Sequence, residues 1–388
     1  MAPKTVLHLR AETKPLEHRS ALTPTTAKAL LDTGDYAINV ERTPEKPARI
    51  FADSEFADVG CELVPTGSWV DAPHDHIIVG LKELPEDTFP LSHTFVQFAH
   101  VFKRQTGWAD WLRRWRRGGG TLLDLEFLTD EQGRRVAAFG YHAGFAGAAL
   151  ALKNWAWQLL HPGEEMPGVE TFTEGRGYYN NEDELVSQVR EDVEKAVQAG
   201  HKPPQTIVIG ALGRCGRGAV DMLKKAGLED SQILKWDIQE TSAKSGPYAE
   251  ITESDIFINT IYLMSKIPPF VSMESLREAG EKRRLSVVCD VSCDPNSENN
   301  PVPIYSEWTT FEKPTVAVPV EQGPPLSVIS IDHLPSLLPR EASEAFSSAL
   351  LPSLMQLKDR KEARVWQEAE KLFHEKVAEV PEEGANGA

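Results

Sequence analysis

Cysteine is scarce in this chain. Four thiols, Cys61, Cys215, Cys289 and Cys293, are scattered over 388 residues, which excludes the dense disulfide framework of a small secreted scaffold and fits a reducing compartment. Cys289 and Cys293 alone do not make a metal site, and no metal is expected. Long apolar runs are also missing: nothing approaches the roughly 18 consecutive residues of a membrane-spanning helix, and the opening Met-Ala-Pro-Lys-Thr-Val lacks the apolar core of an export signal. Positive charge is in deficit, with 41 Lys and Arg against 58 Asp and Glu for a net −17. Such a field repels nucleic acid and anionic lipid, so neither is expected as a partner, and an anionic substrate must be held by locally placed arginines. The final Gly387-Ala388 is no receptor-read address of the Ser-Lys-Leu kind, which leaves the cytoplasm as the expected compartment.

What is present is enough apolar material for two cores. The length and the 41% hydrophobic content predict two compact lobes with a cleft between them. One stretch runs against the general charge: residues 111–117 mix two tryptophans with four arginines and precede three glycines, as a nucleic-acid patch would. Trp108, Trp111, Leu112 and Trp115 recur at helical spacing, however, so the stronger reading is a buried helix face, with the arginines on the solvated side and the glycines at its end.

Along the first third, short apolar runs at 5–9, 36–40, 76–81, 94–99 and 122–127 alternate with polar or Gly/Pro-rich sequence and predict a doubly wound sheet. Its first helix has Thr23 as N-cap, Pro24 in its first turn and Gly34 at its close. Residues 162–181 are rich in Pro, Gly and acid and read as a surface excursion, followed by a charged amphipathic helix over 183–199. From residue 206 a second series of β-branched runs, 206–209, 233–236, 256–261, 285–288 and 326–331, predicts buried parallel strands. Residues 340–377 read as helical with an interruption at Pro352, the last apolar face packing on the first lobe, and 381–388 as disordered. The predicted fold class is therefore α/β, with two Rossmann-like doubly wound domains, 1–138 with 341–388 and 139–340.

Residues 210–216, Gly-Ala-Leu-Gly-Arg-Cys-Gly, join a strand to an apolar-periodic helix. Glycines there let the backbone approach a pyrophosphate, whose charge the helix N-terminus stabilises. Their spacing departs from the common G-x-G-x-x-G, and a tight turn would use the same residues. Context adds to the signal: the next strand ends at Asp237, 21 residues beyond Gly216, where an acid meets the adenosine ribose, and residues 238–240 offer no arginine for a 2′-phosphate. NAD is the expected cofactor.

Open α/β sheets present working groups at the carboxyl ends of strands. Lys82 and Glu83 follow the run at 76–81, His100 follows 94–99 and Glu126 closes 122–125, with Arg10 and Arg19 after the first strand. Each alone reads as a surface lysine or a satisfied structural histidine. Converging on one edge, they form a set able to hold and pass protons. Arg134 and Arg135 are solvated bases or, alternatively, guanidinium forks for carboxylates.

Residues 7–17 (Leu-His-Leu-Arg-Ala-Glu-Thr-Lys-Pro-Leu-Glu), Gly80-Leu81-Lys82-Glu83, Gln97-Phe98-Ala99-His100, residues 133–140, the glycine loop and residues 330–341 (Ser-Ile-Asp-His-Leu-Pro-Ser-Leu-Leu-Pro-Arg-Glu) together resemble the NAD-dependent, L-lysine-forming saccharopine dehydrogenase family over about residues 5–377. The resemblance implies an alanine-dehydrogenase-like fold, a monomer, and the reaction of saccharopine, NAD and water to L-lysine, 2-oxoglutarate and NADH in lysine biosynthesis. It implies Lys82 as acceptor of the secondary-amine proton and His100 as the acid/base group of imine hydrolysis, with Glu83 and Glu126 tuning them. Substrate contacts would come from Arg19, Arg135, Phe139, Ser292, Cys293 and Asp294. Cofactor contacts would come from Gln105, Arg134, Gly213, Arg214, Asp237, Thr241, Tyr262, Val291, Ile331, Asp332, His333 and Leu334. Members of the family can carry a disulfide from the loop cysteine; here Cys215 faces Thr260 in the corresponding place, so that bridge cannot form. The alternatives are an alanine-dehydrogenase-like deaminase and a non-catalytic NAD-sensing protein.

Overall fold

The computed structural model describes residues 3–46 and 48–381; the expectation of disorder near the C-terminus concerns residues 382–388, which lie outside them. The chain divides into two units, Met1–Ala138 with Pro339–Ala388, and Phe139–Leu338.

In the first unit, β1 (Thr5–Leu9), β2 (Tyr36–Glu41), β3 (Glu62–Val64), β4 (Ile77–Val79), β5 (Thr94–Gln97) and β6 (Thr121–Asp124) form one sheet in the order β3-β2-β1-β4-β5-β6. Every pairing in it is parallel. The order reverses between β1 and β4, and at such a switch point the strand ends open into a crevice. Helix α1 (Pro24–Asp32) starts as its sequence dictates: Thr23 caps it, accepting from the Thr26 N–H, with Pro24 in the first turn. A short α2 (Asp53–Asp58) precedes β3, and α3 (Trp108–Gly118) leads into β6.

The periodic face of α3 is buried at Leu112 and Trp115, and the helix ends in a left-handed Gly119. The arginines correct the sequence reading: Arg114 is buried too, its guanidinium 4.9 Å from the Trp111 ring and 4.7 Å from the Phe89 ring. Aromatic stacking accepts a guanidinium where a simple amphipathic pattern places solvent.

The second unit opens with α4 (Gly140–Leu160), buried along most of its length. Its apolar residues surround the axis, so no amphipathic period announces it. No helix among the described residues is long and apolar enough to cross a membrane. Helix α5 (Glu182–Gln198), capped by Asn181, turns Leu185, Val189, Val193 and Ala196 inward. The preceding segment is no surface excursion, because Met166, Val169 and Tyr179 are buried with that face in the unit's core.

Beyond it, β7 (Thr206–Ile209), α6 (Arg214–Lys225), β8 (Ile233–Trp236), α7 (Ile238–Ala243), α8 (Ala249–Glu253), β9 (Ile256–Asn259), α9 (Met273–Ala279), β10 (Val287–Asp290), β11 (Val316–Val318) and β12 (Leu326–Ile329) follow. The strands order as β11-β12-β10-β9-β7-β8, all parallel except the edge strand β11. Helices α4 and α6 pack backbone to backbone. A Cβ on Gly144 would lie 1.8 Å from the Cys215 carbonyl oxygen, and one on Gly218 1.9 Å from that of Tyr141. The chain then returns to the first unit through α10 (Pro339–Leu354), which contains Pro352, and α11 (Arg364–Ala378). Phe373, Leu372 and Val377 of α11 join the cluster around Phe95, Trp115 and Leu122.

Candidate active site

In the first unit the strand ends bring the ionisable groups together in order. Since β1, β4, β5 and β6 are successive neighbours, Lys82 and Glu83, then His100, then Glu126 emerge from adjacent carboxyl ends. A buried frame fixes the turn that carries Lys82. Glu12 accepts from the N–H groups of Leu81 at 2.7 Å and Lys82 at 3.0 Å. The Arg10 guanidinium donates to the Lys82 carbonyl and stands 3.5 Å from Glu12. Gly80 is required here, because a Cβ would lie 2.4 Å from Arg10 Nε. Arg10 is thereby a structural residue, with a guanidinium spent on backbone and carboxylate.

Burial pushes the Lys82 ammonium down from its ordinary value and the charge of Arg19 adds to the shift, while Glu17 and Glu83 oppose it. Arg19 is itself buried and gripped by Glu17, Nε at 2.8 Å from one oxygen and Nη2 at 2.7 Å from the other. Although burial works against it, that pairing with Arg19 holds the Glu17 carboxyl below the usual range. His100 Nδ1 hydrogen-bonds Glu83, whose second oxygen takes Lys14 at 3.2 Å. Burial opposes ionisation of Glu83, but the His100 hydrogen bond and the backbone donor outweigh it and hold its carboxyl at about 2. The His100 backbone has φ of +53°, a conformation uncommon for a side-chain-bearing residue and found where surrounding contacts enforce it. Glu126 accepts from Lys103 at 2.6 Å.

Asp124, Glu12 and Glu17 were not singled out in the sequence. Asp124 is buried at the end of β6, where its carboxylate accepts from Ala99 N at 3.4 Å and Glu126 N at 2.9 Å. It ties the segment bearing His100 to that bearing Glu126, and burial, with the Glu126 charge added, pushes its carboxyl up to about 6. The signal was an acid inside the run Leu122-Leu123-Asp124-Leu125.

The remaining first-unit residues are more open. Arg135 is exposed, its guanidinium 5.9 Å from the Phe98 ring. Arg134 turns back onto Asp130 at 2.9 Å, and Gln105 lies exposed before α3.

In the second unit the ends of β7, β8, β9, β10 and β12 carry glycine and apolar side chains. Gly210, φ +90°, admits no Cβ, which would come 2.4 Å from Thr260 Oγ1, and Gly216 admits none because it packs on the Gly210 carbonyl. Gly213 differs: its Cβ would touch only the Gly210 oxygen, at 3.3 Å. It caps α6 with no side chain over the helix N-terminus, which leaves the donors of the first turn for an anion. Arg214 opens that turn.

Asp237 ends β8 and accepts from Leu212 N at 3.0 Å, linking the acid to the glycine loop. Around it Leu212, Ile238, Tyr262 and Met264 are 68%, 77%, 64% and 85% exposed. An apolar surface at strand ends fits the flat base of a nucleotide. Thr241 donates to the Asp237 carbonyl at 2.9 Å. These residues fit a dinucleotide, with Gly213 and Arg214 at the pyrophosphate, Asp237 at a ribose, and Ile238 and Tyr262 beside a base.

At the end of β10, buried Asp290 accepts from Ser292 Oγ at 2.6 Å, Tyr305 at 2.7 Å and Asn259 at 2.9 Å, setting the backbone of 291–294. Val291 packs against α4 at Gly147. Cys293 accepts from Ser330 Oγ at 3.3 Å, and burial pushes its thiol up to about 12, so it is no nucleophile. Phe139 caps α4 and Asp294 is half-buried. Ile331 and Leu334 are core residues, which leaves Asp332 and His333 as the members of that segment with accessible side chains. The four cysteines are free, Cys215 among them, and Thr260 spends its hydroxyl on the Ile209 carbonyl at 2.8 Å. Among the described residues no three His, Cys, Asp or Glu are grouped to hold a metal.

Two parallel sheets, one ending in proton-handling groups and one in a glycine loop with an acid after the next strand, define a dinucleotide-dependent oxidoreductase of the alanine dehydrogenase type. Residues 8–146 match the family model for the N-terminal domain of alanine dehydrogenase and PNT. A solved L-alanine dehydrogenase aligns over 95% of this chain and 94% of its own, with a TM-score of 0.64 at 16% identity; that likeness concerns the fold. The saccharopine dehydrogenase [NAD(+), L-lysine-forming] of Neurospora crassa is 63% identical over 98% of this chain and 99% of its own length. That of Emericella nidulans is 60% identical over 96% and 98%. The chain belongs to the family of NAD-dependent, L-lysine-forming saccharopine dehydrogenases.

Proposed function

We propose that the protein converts saccharopine, NAD and water to L-lysine, 2-oxoglutarate, NADH and a proton, the last step of lysine formation through α-aminoadipate, and that it works as a cytoplasmic monomer. The observation that carries the reading is the order Lys82-Glu83, His100, Glu126 on three adjacent strand ends of a chain with near full-length relatives of that activity.

Bound NAD supplies the hydride acceptor for the α-carbon of the glutamyl part of the substrate. Lys82, its ammonium destabilised by burial and by Arg19, accepts the proton of the secondary amine as the imine forms. His100 then takes a proton from the attacking water and delivers one to the departing lysine nitrogen. The Glu83 carboxylate orients the ring through Nδ1 and steadies its charged form. Arg135, exposed beside Phe98, receives a substrate carboxylate, and Arg19, held by Glu17, contributes fixed positive charge. Arg134 and Gln105 are assigned to the cofactor.

Oxidation of NADH by the purified protein with 2-oxoglutarate, supplied with either L-lysine or ammonia and repeated with pyruvate, tests this. Turnover confined to lysine with 2-oxoglutarate is expected; turnover with pyruvate and ammonia would instead assign an alanine-dehydrogenase activity.

A further inference from the structure

We propose that the first unit carries a second small-molecule site, a pocket for a free, zwitterionic α-amino acid between the loop at Glu86–Thr88 and helix α3. It shares no residue with the group around Lys82 and His100. A cavity of about 360 Å³ lies there, within the range of sites for small ligands. Trp111 and Gly107 line it, with Arg114 and Arg117 supplying positive charge and Glu86 and Asp87 negative charge. A second pair on its wall, Asp110 and Arg113, bond each other.

Arg114 is the reason to expect a ligand. It is 3% exposed, yet among the described residues no carboxylate lies within ion-pair distance of it and its Nη2 has no hydrogen-bond partner. Its other nitrogens reach only backbone: Nε donates to the Phe89 carbonyl at 3.0 Å, and Nη1 stands 3.5 Å from that of Pro85. A buried cation left without an anion is costly, and a guanidinium with a free edge is suited to a carboxylate. The start of α3 adds to this, since left-handed Gly107 caps it without a side chain and the helix dipole favours negative charge there.

The acids set the other half of the ligand. Glu86 is exposed and has no ion-pair or hydrogen-bond partner among the described residues, while Asp87 spends one oxygen on Thr88 N at 2.6 Å and keeps the other. A simple anion would leave these carboxylates opposed to it. A molecule carrying a carboxylate and an ammonium a few atoms apart satisfies both sets, and the Trp111 ring offers its side chain an apolar wall.

Calorimetric titration of the full-length protein with L-lysine, L-glutamate, L-arginine and L-phenylalanine, and with acetate and methylammonium as half-ligands, tests the site. Binding at the group around Lys82 is common to wild type and cavity variants, so the difference between them reads the pocket. At least one amino acid is expected to show one additional equivalent in wild type, at least tenfold tighter than either half-ligand, and to lose it in both Arg114→Met and Glu86→Gln. Glu86→Gln changes an exposed side chain and serves as the decisive variant should Arg114→Met fail to fold. Identical titrations of wild type and Glu86→Gln would overturn the proposal. So would acetate binding as tightly as any amino acid, which would make the pocket a simple anion site.

Discussion

The two sheets share a plan and differ in what their strand ends carry. Each is a parallel array with a switch point beside its first strand, β1 against β4 in one and β7 against β9 in the other. In the first unit the ends hold charged side chains in mutual contact: Glu17 with Arg19, Glu83 with His100 and Lys14, Glu126 with Lys103. In the second they hold glycines, one acid and exposed Leu212, Ile238, Tyr262 and Met264. Proton chemistry needs groups whose charge is contested by neighbours, whereas cofactor binding needs backbone donors and an apolar face. One architecture serves both because only the few residues after each strand differ.

The comparison breaks most readily at Lys82. Lys82→Met removes the proton acceptor and leaves the glycine loop untouched. Turnover should fall a hundredfold or more, the usual range for a general base, with NADH affinity by fluorescence titration unchanged. Weakened NADH binding would place Lys82 with the cofactor and dissolve the division between the units.

A smaller effect is expected at Asp124, whose carboxyl is pushed up to about 6 by burial. Because this folded-state value exceeds that of the unfolded chain, the group binds its proton more tightly when folded. Its contribution to stability is full below about pH 4 and is lost as pH rises through 6. The shift corresponds to at most about 3 kcal/mol. Asp124→Asn, which keeps an acceptor and cannot ionise, should therefore be closest to wild type, or above it, in denaturant unfolding at pH 8 and least favourable at pH 4.5. A stability difference independent of pH would mean that Asp124 ionises freely in the folded chain.

Local pattern made the parallel strands, the capped α1 and the glycine loop legible, since β-branched runs and backbone-forced glycines signal through neighbours in sequence. Helix α4 was not, because a helix apolar on all sides has no period to detect. Strand β11, three residues between Pro314 and Pro319, is too short to alternate visibly and exists through its pairing with β12. The residues that converge at the first site could be named from strand ends. Their support could not: Arg10 under Gly80, Glu12 at the Lys82 turn and Asp124 between two segments are tertiary contacts between residues far apart in the chain. Buried Arg114 was missed for the same reason, as its stacking partner Phe89 lies outside its helix.

The glycines of the second unit sharpen the contrast by separating binding from folding. A methyl at Gly216 meets the Gly210 carbonyl oxygen at 2.0 Å, whereas at Gly213, where φ is −72°, the nearest atom is 3.3 Å away. Gly216→Ala should lower the melting temperature along with NAD affinity. Gly213→Ala should leave the melting temperature within a degree or two and weaken NAD about tenfold, because the methyl enters the space a pyrophosphate needs beside the helix N-terminus. Equal NAD affinity of Gly213→Ala and wild type by calorimetry would show that the phosphates do not approach that backbone.

The smallest effect belongs to Asp237. Its carboxylate already accepts from Leu212 and Ile238, so part of its work is to hold the loop, and part is free for a ribose hydroxyl. Asp237→Ser keeps an acceptor near Leu212 while removing the charge that repels a 2′-phosphate. NAD should bind a few-fold more weakly and NADP a few-fold more tightly, so that their ratio moves more than either constant. If both cofactors weakened alike, Asp237 would act solely through the glycine loop, and discrimination between them would have to come from side chains other than the acid at the end of β8.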